Sequence, residues 1–257
     1  MRLSPRHPRY QSLLVRAGLA RALEAGLVVP EGLIAQGRAE AFDYFLGERT
    51  LPSARRAERV AAQWLWAAER PVVSVNGNVA ALAATEVARL AGAMPRLGVE
   101  VNLFHRTPTR ARRVAAVLQR AGVPRVLGVR PTARIRGLPS DRALVDRAGI
   151  FRADLCLVPL EDGDRAAALT ARGQRVISVD LNPLSRTSQT ADLPIVDDVR
   201  RALGHIADDL GALAQRGAPR VWPPFDRDRA LAEAIGAMRR RLARAAAGRT
   251  SRRPTKR

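Results

Sequence analysis

The segment Asn76-Gly77-Asn78 follows an apolar, β-branched run at residues 72–75 and precedes an Ala- and Leu-rich stretch. This pattern predicts a strand, a tight turn and the start of a helix, with Gly77 expected to adopt a positive φ. Backbone N–H groups at a helix start can bind phosphate, so all three residues are candidates for substrate binding. An ordinary strand-to-helix turn with Asn78 as the N-cap explains the pattern equally well. The segment lacks a Gly-x-Gly-x-x-Gly motif, which disfavours a dinucleotide site.

Three carboxylates, Glu161, Asp162 and Asp164, crowd the end of another apolar run beside the flexible Gly163. Carboxylate oxygens of this kind can bind Mg²⁺, and they can also orient an amine nucleophile. Asp162 and Asp164 are therefore candidate catalytic residues. An acidic turn that caps the following helix is the alternative interpretation.

A third apolar run, at residues 176–179, leads directly into Asp180, and Asn182 and Arg186 follow it. Asp180 can accept hydrogen bonds from ribose hydroxyls, and Asn182 can bind a base or a sugar. Arg186 and its hydroxyl neighbours can bind phosphate. The alternative is an Asx turn followed by a solvated loop.

Among the basic residues, Arg9, Arg16 and Arg38 have distinctive neighbours, and a guanidinium presents a rigid fork to phosphate or carboxylate. In a chain with 44 Lys and Arg residues, any single arginine is nevertheless more often on the surface. Lys256 is the only lysine, which excludes a P-loop and a lysine nucleophile. The histidines show no metal-binding spacing and are predicted to be structural or incidental: His7, His105 and His205.

The composition narrows the class of protein that could carry these residues. A chain of 257 residues with 47% hydrophobic content can bury one sizeable core. Cys156 is the one cysteine, which excludes an intrachain disulfide and a cysteine metal cluster, so a reducing cytoplasm is the expected location. No apolar stretch is long enough to cross a bilayer, and the N-terminal residues do not resemble a secretory signal, so no membrane association is expected.

The net charge of +20 invites a nucleic-acid hypothesis, but its distribution argues against one. Residues 239–257 hold nine basic residues and no acidic residue, and the remaining positive charge is spread along the chain. The chain has only two Tyr, three Trp and five Phe, too few for the stacking platforms of single-stranded nucleic-acid binders. No specific nucleic-acid partner is therefore expected.

Hydrophobic periodicity indicates the elements that must position the candidate residues. Helices are predicted at residues 10–26, with Gly26 as a C-terminal cap, and at 33–46, 53–69, 79–92, 109–122, 164–172, after Asp198 and at 226–247. Strands are predicted at 72–75, 99–104, 125–129, 154–160, 175–180 and 194–196. Their alternation predicts an α/β fold with a mostly parallel sheet, covering helices and a helical N-terminal segment.

The same pattern predicts the domain organisation. Residues 1–238 are expected to form a single α/β domain, in which 1–70 are mostly helical, 71–200 form the alternating core and 201–238 are helical. Residues 239–257 are expected to form a basic tail, partly helical, with a disordered end from residue 248.

Five segments, at residues 7–10, 32–44, 75–82, 159–165 and 180–186, closely resemble the archaeal 4-phosphopantoate–β-alanine ligase family, also called phosphopantothenate synthetase. The resemblance covers about residues 5–205, in order and with compatible spacing. It implies a Rossmann-like core, a homodimer, and the joining of 4-phosphopantoate to β-alanine with ATP and Mg²⁺, releasing AMP and diphosphate, in coenzyme A biosynthesis. An acyl-adenylate is the expected intermediate.

The resemblance also assigns roles to residues. Arg38 is implied as both a catalytic residue and an ATP contact, and the other implied ATP contacts are Arg16, Asp180, Leu181, Asn182, Arg186, Thr187, Asp198 and Val199. The chain departs from many members at four positions: Gln36, His105, Thr187 and Asp198. Two other hypotheses stay open at this point, an NAD(P)-dependent or phosphosugar enzyme on the same fold and a nucleic-acid-binding protein.

Overall fold

The computed structural model describes Ser4, Arg6 and residues 10–250, with side chains for all of these except Gln11 and residues 248–250. The candidates His7 and Arg9 lie outside the described residues. The described helices are α1 (Tyr10–Glu24), α2 (Pro30–Leu46), α3 (Pro52–Ala67), α4 (Gly77–Ala93), α5 (Pro108–Arg120), α6 (Gly163–Ala171), α7 (Arg186–Thr190), α8 (Val199–Gln215) and α9 (Arg227–Thr250). The strands are β1 (Pro71–Val75), β2 (Gly98–Val101), β3 (Val126–Leu127), β4 (Ala133–Arg134), β5 (Leu144–Val145), β6 (Leu155–Pro159), β7 (Arg175–Val179) and β8 (Leu193–Ile195).

Six strands form one parallel sheet in the order β3-β2-β1-β6-β7-β8, and β4 pairs with β5 in a separate antiparallel ribbon. Because β4 and β5 are not part of the six-stranded sheet, β6, β7 and β8 are the fourth, fifth and sixth strands of that sheet in chain order. The order is then the 3-2-1-4-5-6 of a Rossmann fold. The chain runs outward from β1 in one direction and from β6 in the other, so a crevice is expected between these two strands at their carboxyl ends.

Helices cover both faces of the sheet, and this is why its strands are apolar without alternation. Along β6, Leu155 and Leu157 join the core under α3, α4, α5 and α8. Cys156 and Val158 point to the opposite face and join a second core under α6 and the ribbon. The predicted α/β fold with a parallel sheet and a helical N-terminal segment is confirmed.

The helix boundaries follow local sequence signals. Helix α1 ends in a Schellman turn, in which the predicted cap Gly26 has φ +66° and Leu27 N–H bonds to Ala22 O. Helices α2, α3 and α5 begin with proline, which tolerates the first helical position because its missing N–H would have no partner there. Asp198 caps α8 through its carboxylate.

Three predicted boundaries differ from the structure for identifiable reasons. The second and third strands are both shorter than predicted, and the third ends because Gly128, at φ +78°, turns the chain where a Cβ would lie 2.3 Å from Val101 O. The ribbon of β4 and β5 is not predicted, because a strand of only two residues shows no hydrophobic periodicity. The helix predicted at 226–247 continues through Thr250, so residues 248–250 are not a disordered end.

Helix α9 packs against the N-terminal helices, and its range, Arg227–Thr250, spans the predicted boundary at residue 238. Leu231 and Met238 share a buried cluster with Leu46 and Leu51, at the end of α2 and the start of α3. That residues 1–238 form one domain and 239–257 a separate tail stays a prediction. Within the described residues, no helix combines the length and the apolar composition needed to span a bilayer.

A buried carboxyl group lies between α3 and α8. The Glu58 side chain is 0% exposed, and its Oε2 lies 2.8 Å from Nδ1 of His205, a residue predicted to be structural or incidental. Burial and the neighbouring Asp197 raise the pKa of Glu58 to about 9, against the opposing charge of Arg55. Donor atoms of Glu58, Asp197 and His205 lie within 4.8 Å of one another. Asp197 already accepts hydrogen bonds from Thr50 and Arg201. A proton on Glu58, rather than a metal ion, therefore accounts for the close approach of these groups.

This cluster predicts a pH dependence of stability. Folded Glu58 holds its proton up to about pH 9, whereas the unfolded residue loses it near pH 4.5. Folding therefore takes up a proton between these values, and stability falls as pH rises, with a slope approaching about 1.4 kcal/mol per pH unit. Glu58→Gln, which resembles the protonated acid, should remove this slope. The test is the difference in unfolding free energy between wild type and Glu58→Gln from pH 5 to 9, and parallel profiles would contradict it.

Candidate active site

A cavity of about 380 Å³ opens at the carboxyl ends of four neighbouring strands, β2, β1, β6 and β7, and helix α2 covers it. This volume is that of a small-molecule site. Besides Gly77, its lining includes polar residues from all four strand ends and from α2: Glu31, Gln36, Arg38, Asn76, Asn78, His105, Arg110, Arg142, Glu161, Asp162, Asp180, Asn182 and Ser185. Loops that are far apart in the sequence therefore converge on the crevice between β1 and β6.

Asn76 joins the two halves of the sheet at this crevice. Its Oδ1 accepts a hydrogen bond from Val79 N at 3.0 Å and caps α4, while its Nδ2 donates to Leu160 O at 2.8 Å. Leu160 follows β6 and has φ +52°, a left-handed conformation that is strained for a leucine. Asn76, and not Asn78, is thus the N-cap. The Asn78 amide instead donates to Gly32 O at 2.8 Å and ties α4 to α2.

Gly77 is required for a different reason from the predicted one. Its φ is not positive, and a Cβ at this position would lie 2.1 Å from Leu27 O and 2.9 Å from Nη2 of Arg110. The absence of a side chain lets the guanidinium of Arg110 lie over the first turn of α4. Gly77 and Asn78 are the first two residues of that helix, where N–H groups have no intrahelical acceptor.

Arg110 adds a positive charge beside the N-terminus of α4. Its Nε donates to Leu27 O at 3.0 Å and its Nη1 to His105 O at 2.6 Å, whereas Nη2 donates to no described residue. Burial lowers the pKa of Arg110. A helix N-terminus and a guanidinium facing the same space form a site for an anion.

A buried ion cluster forms the floor of the cavity at the end of β6. Glu161, with a side chain 1% exposed, accepts from Arg142 Nη1 at 2.9 Å and from Arg165 Nη1 through Oε2. Arg165 also donates to Ser74 Oγ at 2.8 Å. Arg142 reaches the cavity because Asn102, just after β2, donates to the carbonyls of Arg142 and Leu144. The segment that joins β4 to β5, which the sequence pattern does not predict, therefore places a cationic residue in the site.

The structure separates the two predicted catalytic aspartates. Asp162 lines the cavity, where one oxygen caps α6 and Oδ2 lies 3.1 Å from Nε of Arg142. Asp164 is 63% exposed, lies outside the cavity lining and pairs with Arg186 at 2.6 Å. Together with the locked Glu161, these carboxylates do not form a joint cation site, so they do not fit a protein-bound Mg²⁺.

The predicted nucleoside loop is partly in the cavity. Asp180 and Asn182 line it, and the Asn182 N–H bonds to Asp180 Oδ1 at 2.9 Å in an Asx turn. Burial raises the pKa of Asp180, opposed by Ser185, the Asn182 N–H and the charge of Arg38. Arg38, on α2, lines the same cavity and makes no hydrogen bond or ion pair with a described residue. Arg38, Asn76 and Asp180 therefore face one space.

The other predicted ATP contacts lie outside this cavity. Leu181 and Asp198 line an adjoining groove, which shares the wall residue Gln36 with the cavity. The positions of the remaining predicted contacts are as follows: Val199 is buried at the start of α8, Thr187 is buried and donates to Glu161 O, Arg186 pairs with Asp164, and Arg16 makes two hydrogen bonds to Glu40. The roles of all these residues stay predictions.

Sequence patterns do not single out Arg110 or Arg142 as site residues. They predict a structural or incidental role for His105, which lines the cavity. Arg110 lies among the similar residues Arg112 and Arg113, on a helix with a basic outer face. Only the packing of α5 beside α4 distinguishes it. One available signal was Thr107-Pro108, which starts α5 and fixes Arg110 in its first turn.

Comparison with known proteins identifies the family. Residues 53–241 match the family described as phosphopantothenate/pantothenate synthetase. The chain belongs to that family.

Relatives of this phosphopantothenate/pantothenate synthetase family member match it over 78% or more of its length. It is 47% identical over 239 residues to a protein of Methanosarcina mazei, a match that covers 92% of this chain and 94% of the relative. It is 53% identical over 201 residues to a protein of Methanospirillum hungatei, covering 78% and 82%. It is 44% identical over 244 residues to a protein of Thermococcus kodakarensis, covering 93% of each. All three relatives are named 4-phosphopantoate–β-alanine ligase.

The buried ion cluster generates a stability prediction for this synthetase-family chain. Glu161→Gln removes the charge that compensates two nearly fully buried guanidinium groups, so it should lower the unfolding free energy by about 3 kcal/mol or more. Asp164→Asn removes an exposed ion pair and should cost less than about 1 kcal/mol. Denaturant titration of the two variants checks this, and equal losses would show that burial of Glu161 does not matter.

Proposed function

We propose that this protein is a 4-phosphopantoate–β-alanine ligase that consumes ATP and releases AMP and diphosphate in coenzyme A biosynthesis. Family membership and the shared name of its relatives support the ligase activity. The structural observation that carries the proposal is the convergence of Arg38, Arg110, the α4 N-terminus and the Asp180 loop on one cavity. The cavity therefore offers cationic groups and N–H donors for anions, and a carboxylate that can accept hydrogen bonds from hydroxyl groups.

The chemistry requires activation of a carboxylate, because a carboxylate in water does not form an amide with an amine. In the proposed first step, a carboxylate oxygen of 4-phosphopantoate attacks the α-phosphorus of ATP and diphosphate leaves. The amine of β-alanine then attacks the carbonyl carbon of the acyl-adenylate, loses a proton and displaces AMP. Holding both substrates in one cavity makes each attack effectively unimolecular.

The phosphate of 4-phosphopantoate is proposed to bind at the first turn of α4. The N–H groups of Gly77 and Asn78 and the Nη2 of Arg110 supply donors there. Asn76 holds this turn but uses both polar atoms of its side chain within the protein. Its proposed role is therefore to position the helix N-terminus rather than to contact the substrate.

ATP is proposed to extend from the cavity into the adjoining groove past Gln36. Asp180 and Asn182 would bind the ribose or base, Arg38 would neutralise phosphate charge, and the groove residues Leu181 and Asp198 would contact the remainder. Mg²⁺ would enter as part of the ATP complex, since the carboxylates after β6 do not provide a cation site of their own.

Of the two candidate catalytic aspartates, Asp162 is better placed to orient the ammonium group of β-alanine, because it lines the cavity and Asp164 does not. Arg142, whose Nε lies 3.1 Å from Asp162 Oδ2, would hold the carboxylate in place. Asp164 would join the reaction only if Arg186 released it, since the two side chains now pair outside the cavity.

A homodimer is also proposed. Three exposed apolar side chains lie on or next to segments that line the cavity: Ile34 is 72% exposed, Leu184 66% and Phe104 49%. Apolar residues at this level of exposure around a site favour coverage by another protein surface. Light scattering coupled to size exclusion measures the oligomeric state. The cytoplasmic location stays a prediction.

The role of Arg38 predicts a loss of turnover on substitution. Arg38→Ala should lower kcat/KM for ATP at least about tenfold, because a charge-assisted contact in a shielded site contributes more than about 1.4 kcal/mol. The assay mixes protein, ATP, Mg²⁺, β-alanine and 4-phosphopantoate and identifies the products by mass. Arg120→Ala removes an exposed arginine far along α5 and should leave the rate unchanged. Near-wild-type rates for Arg38→Ala would reject its role.

The role of Arg110 predicts a change in substrate preference. Wild type should prefer 4-phosphopantoate to pantoate, and Arg110→Ala should lower the ratio of their kcat/KM values at least about tenfold. Arg110→Lys keeps the charge and should retain part of the preference. If Arg110→Ala slowed both substrates equally, the residue would support the loops through its bonds to Leu27 and His105 without binding the phosphate.

A further inference from the structure

A second cavity, of about 750 Å³, lies between α9 and the turn that joins α2 to α3. Its lining shares no residue with the proposed substrate cavity. Four arginines line it, Arg49, Arg240, Arg241 and Arg244, with the single acidic residue Glu233.

These positive charges are not compensated within the described part of the chain. The Glu233 carboxylate is taken up by Arg56 and by Arg229, the latter at 3.0 Å, so it does not serve the cavity arginines. Arg49, Arg240 and Arg244 make no hydrogen bond or ion pair with any described residue. Arg241 donates from Nε to Tyr44 O at 2.9 Å, which orients its side chain without neutralising it.

The N-terminus of α3 faces the same cavity. Its N-cap, Leu51, provides no side-chain acceptor, and Pro52 follows at the first helical position. The first-turn N–H groups therefore lack a capping side chain from the described residues. Ser53, at the second helical position, is only 8% exposed and lines the cavity, and its hydroxyl has no hydrogen-bond partner among the described residues. This hydroxyl borders the cavity, so it can donate a hydrogen bond to an acceptor bound there.

We propose that this cavity is a second anion site and that it binds a small molecule with two or more adjacent phosphate groups. Several guanidinium forks, a helix N-terminus and a hydroxyl suit the many oxygens of such a group. A concave cavity of this size suits a small ligand better than a nucleic-acid backbone, which needs an extended basic surface. The site is separate from the proposed ligase activity and does not depend on it.

Site-resolved protection of arginines tests the proposal on the full chain. Phenylglyoxal modifies accessible guanidinium groups, and peptide mass mapping measures the rate at each arginine. Saturating tripolyphosphate should slow modification of Arg49 and Arg244 at least fivefold. Arg239 and Arg120, which are exposed and lie outside the cavity lining, should keep their rates. ATP is run in parallel, and protection by either compound supports the site and shows whether the nucleoside is needed.

The second measurement is the affinity of variant proteins for tripolyphosphate, determined by calorimetry. Arg240→Ala with Arg244→Ala should weaken the site at least tenfold, whereas the charge-matched control Arg120→Ala with Arg239→Ala should not. Ser53→Asp places a carboxylate in the first turn of α3, so it should preserve or raise the melting temperature and still abolish binding. Three results would overturn the proposal. They are equal slowing of Arg49, Arg244, Arg239 and Arg120, equal weakening of binding by both double variants, and protection only by a single-stranded oligonucleotide.

Discussion

The site depends on the hydrogen bond from the Asn76 amide to the carbonyl of Leu160. Strands β1 and β6 are adjacent, but the chain leaves them toward opposite edges of the sheet, so their following loops tend to separate. Asn76 bridges this opening and caps α4 with its other polar atom. The strained left-handed backbone of Leu160 is held in part by this contact, and the turn it makes brings Glu161 back under the cavity. One side chain thus fixes the phosphate-binding turn and the acidic loop relative to each other.

The electrostatics of the cavity follow from that placement. Glu161 is completely buried, so its charge is acceptable only because two guanidinium groups contact it. This arrangement fixes Arg142 at the cavity floor without leaving it free to neutralise a ligand. Arg38 and the Nη2 of Arg110 have no such partner, so they supply the positive charge available for anions. Some of the cavity arginines are therefore structural, while others can bind substrate.

Much of this arrangement was predictable from local signals. The three strand-end segments were found because polar residues after apolar runs are unusual, and parallel strands bring such ends to one edge. The alternative interpretation, an ordinary turn capped by Asn78, has the wrong cap: Asn76 and Asn78 are equivalent in type, and only the structure shows that Asn76 caps α4 and contacts Leu160 after β6. Arg142 could not be predicted, because it reaches the cavity through a ribbon of two-residue strands held by Asn102. Long-range placement of this kind leaves no periodic trace in the sequence.

The positive charge of this chain becomes informative about binding sites once the structure shows which arginines are paired with carboxylates. Most arginines outside the cavity could not be told apart in the sequence, and many prove to be paired: Arg55 with Asp209, Arg201 with Asp43 and Arg16 with Glu40. Against that background, the α9 arginines of the second cavity, Arg240, Arg241 and Arg244, stand out because Glu233, the one acidic residue in the described lining, pairs with Arg56 and Arg229 instead. An excess of positive charge spread over a surface is a property of composition. Unpaired arginines that line a cavity beside an uncapped helix N-terminus instead indicate a site. A bound anion relieves the repulsion between their guanidinium groups most effectively.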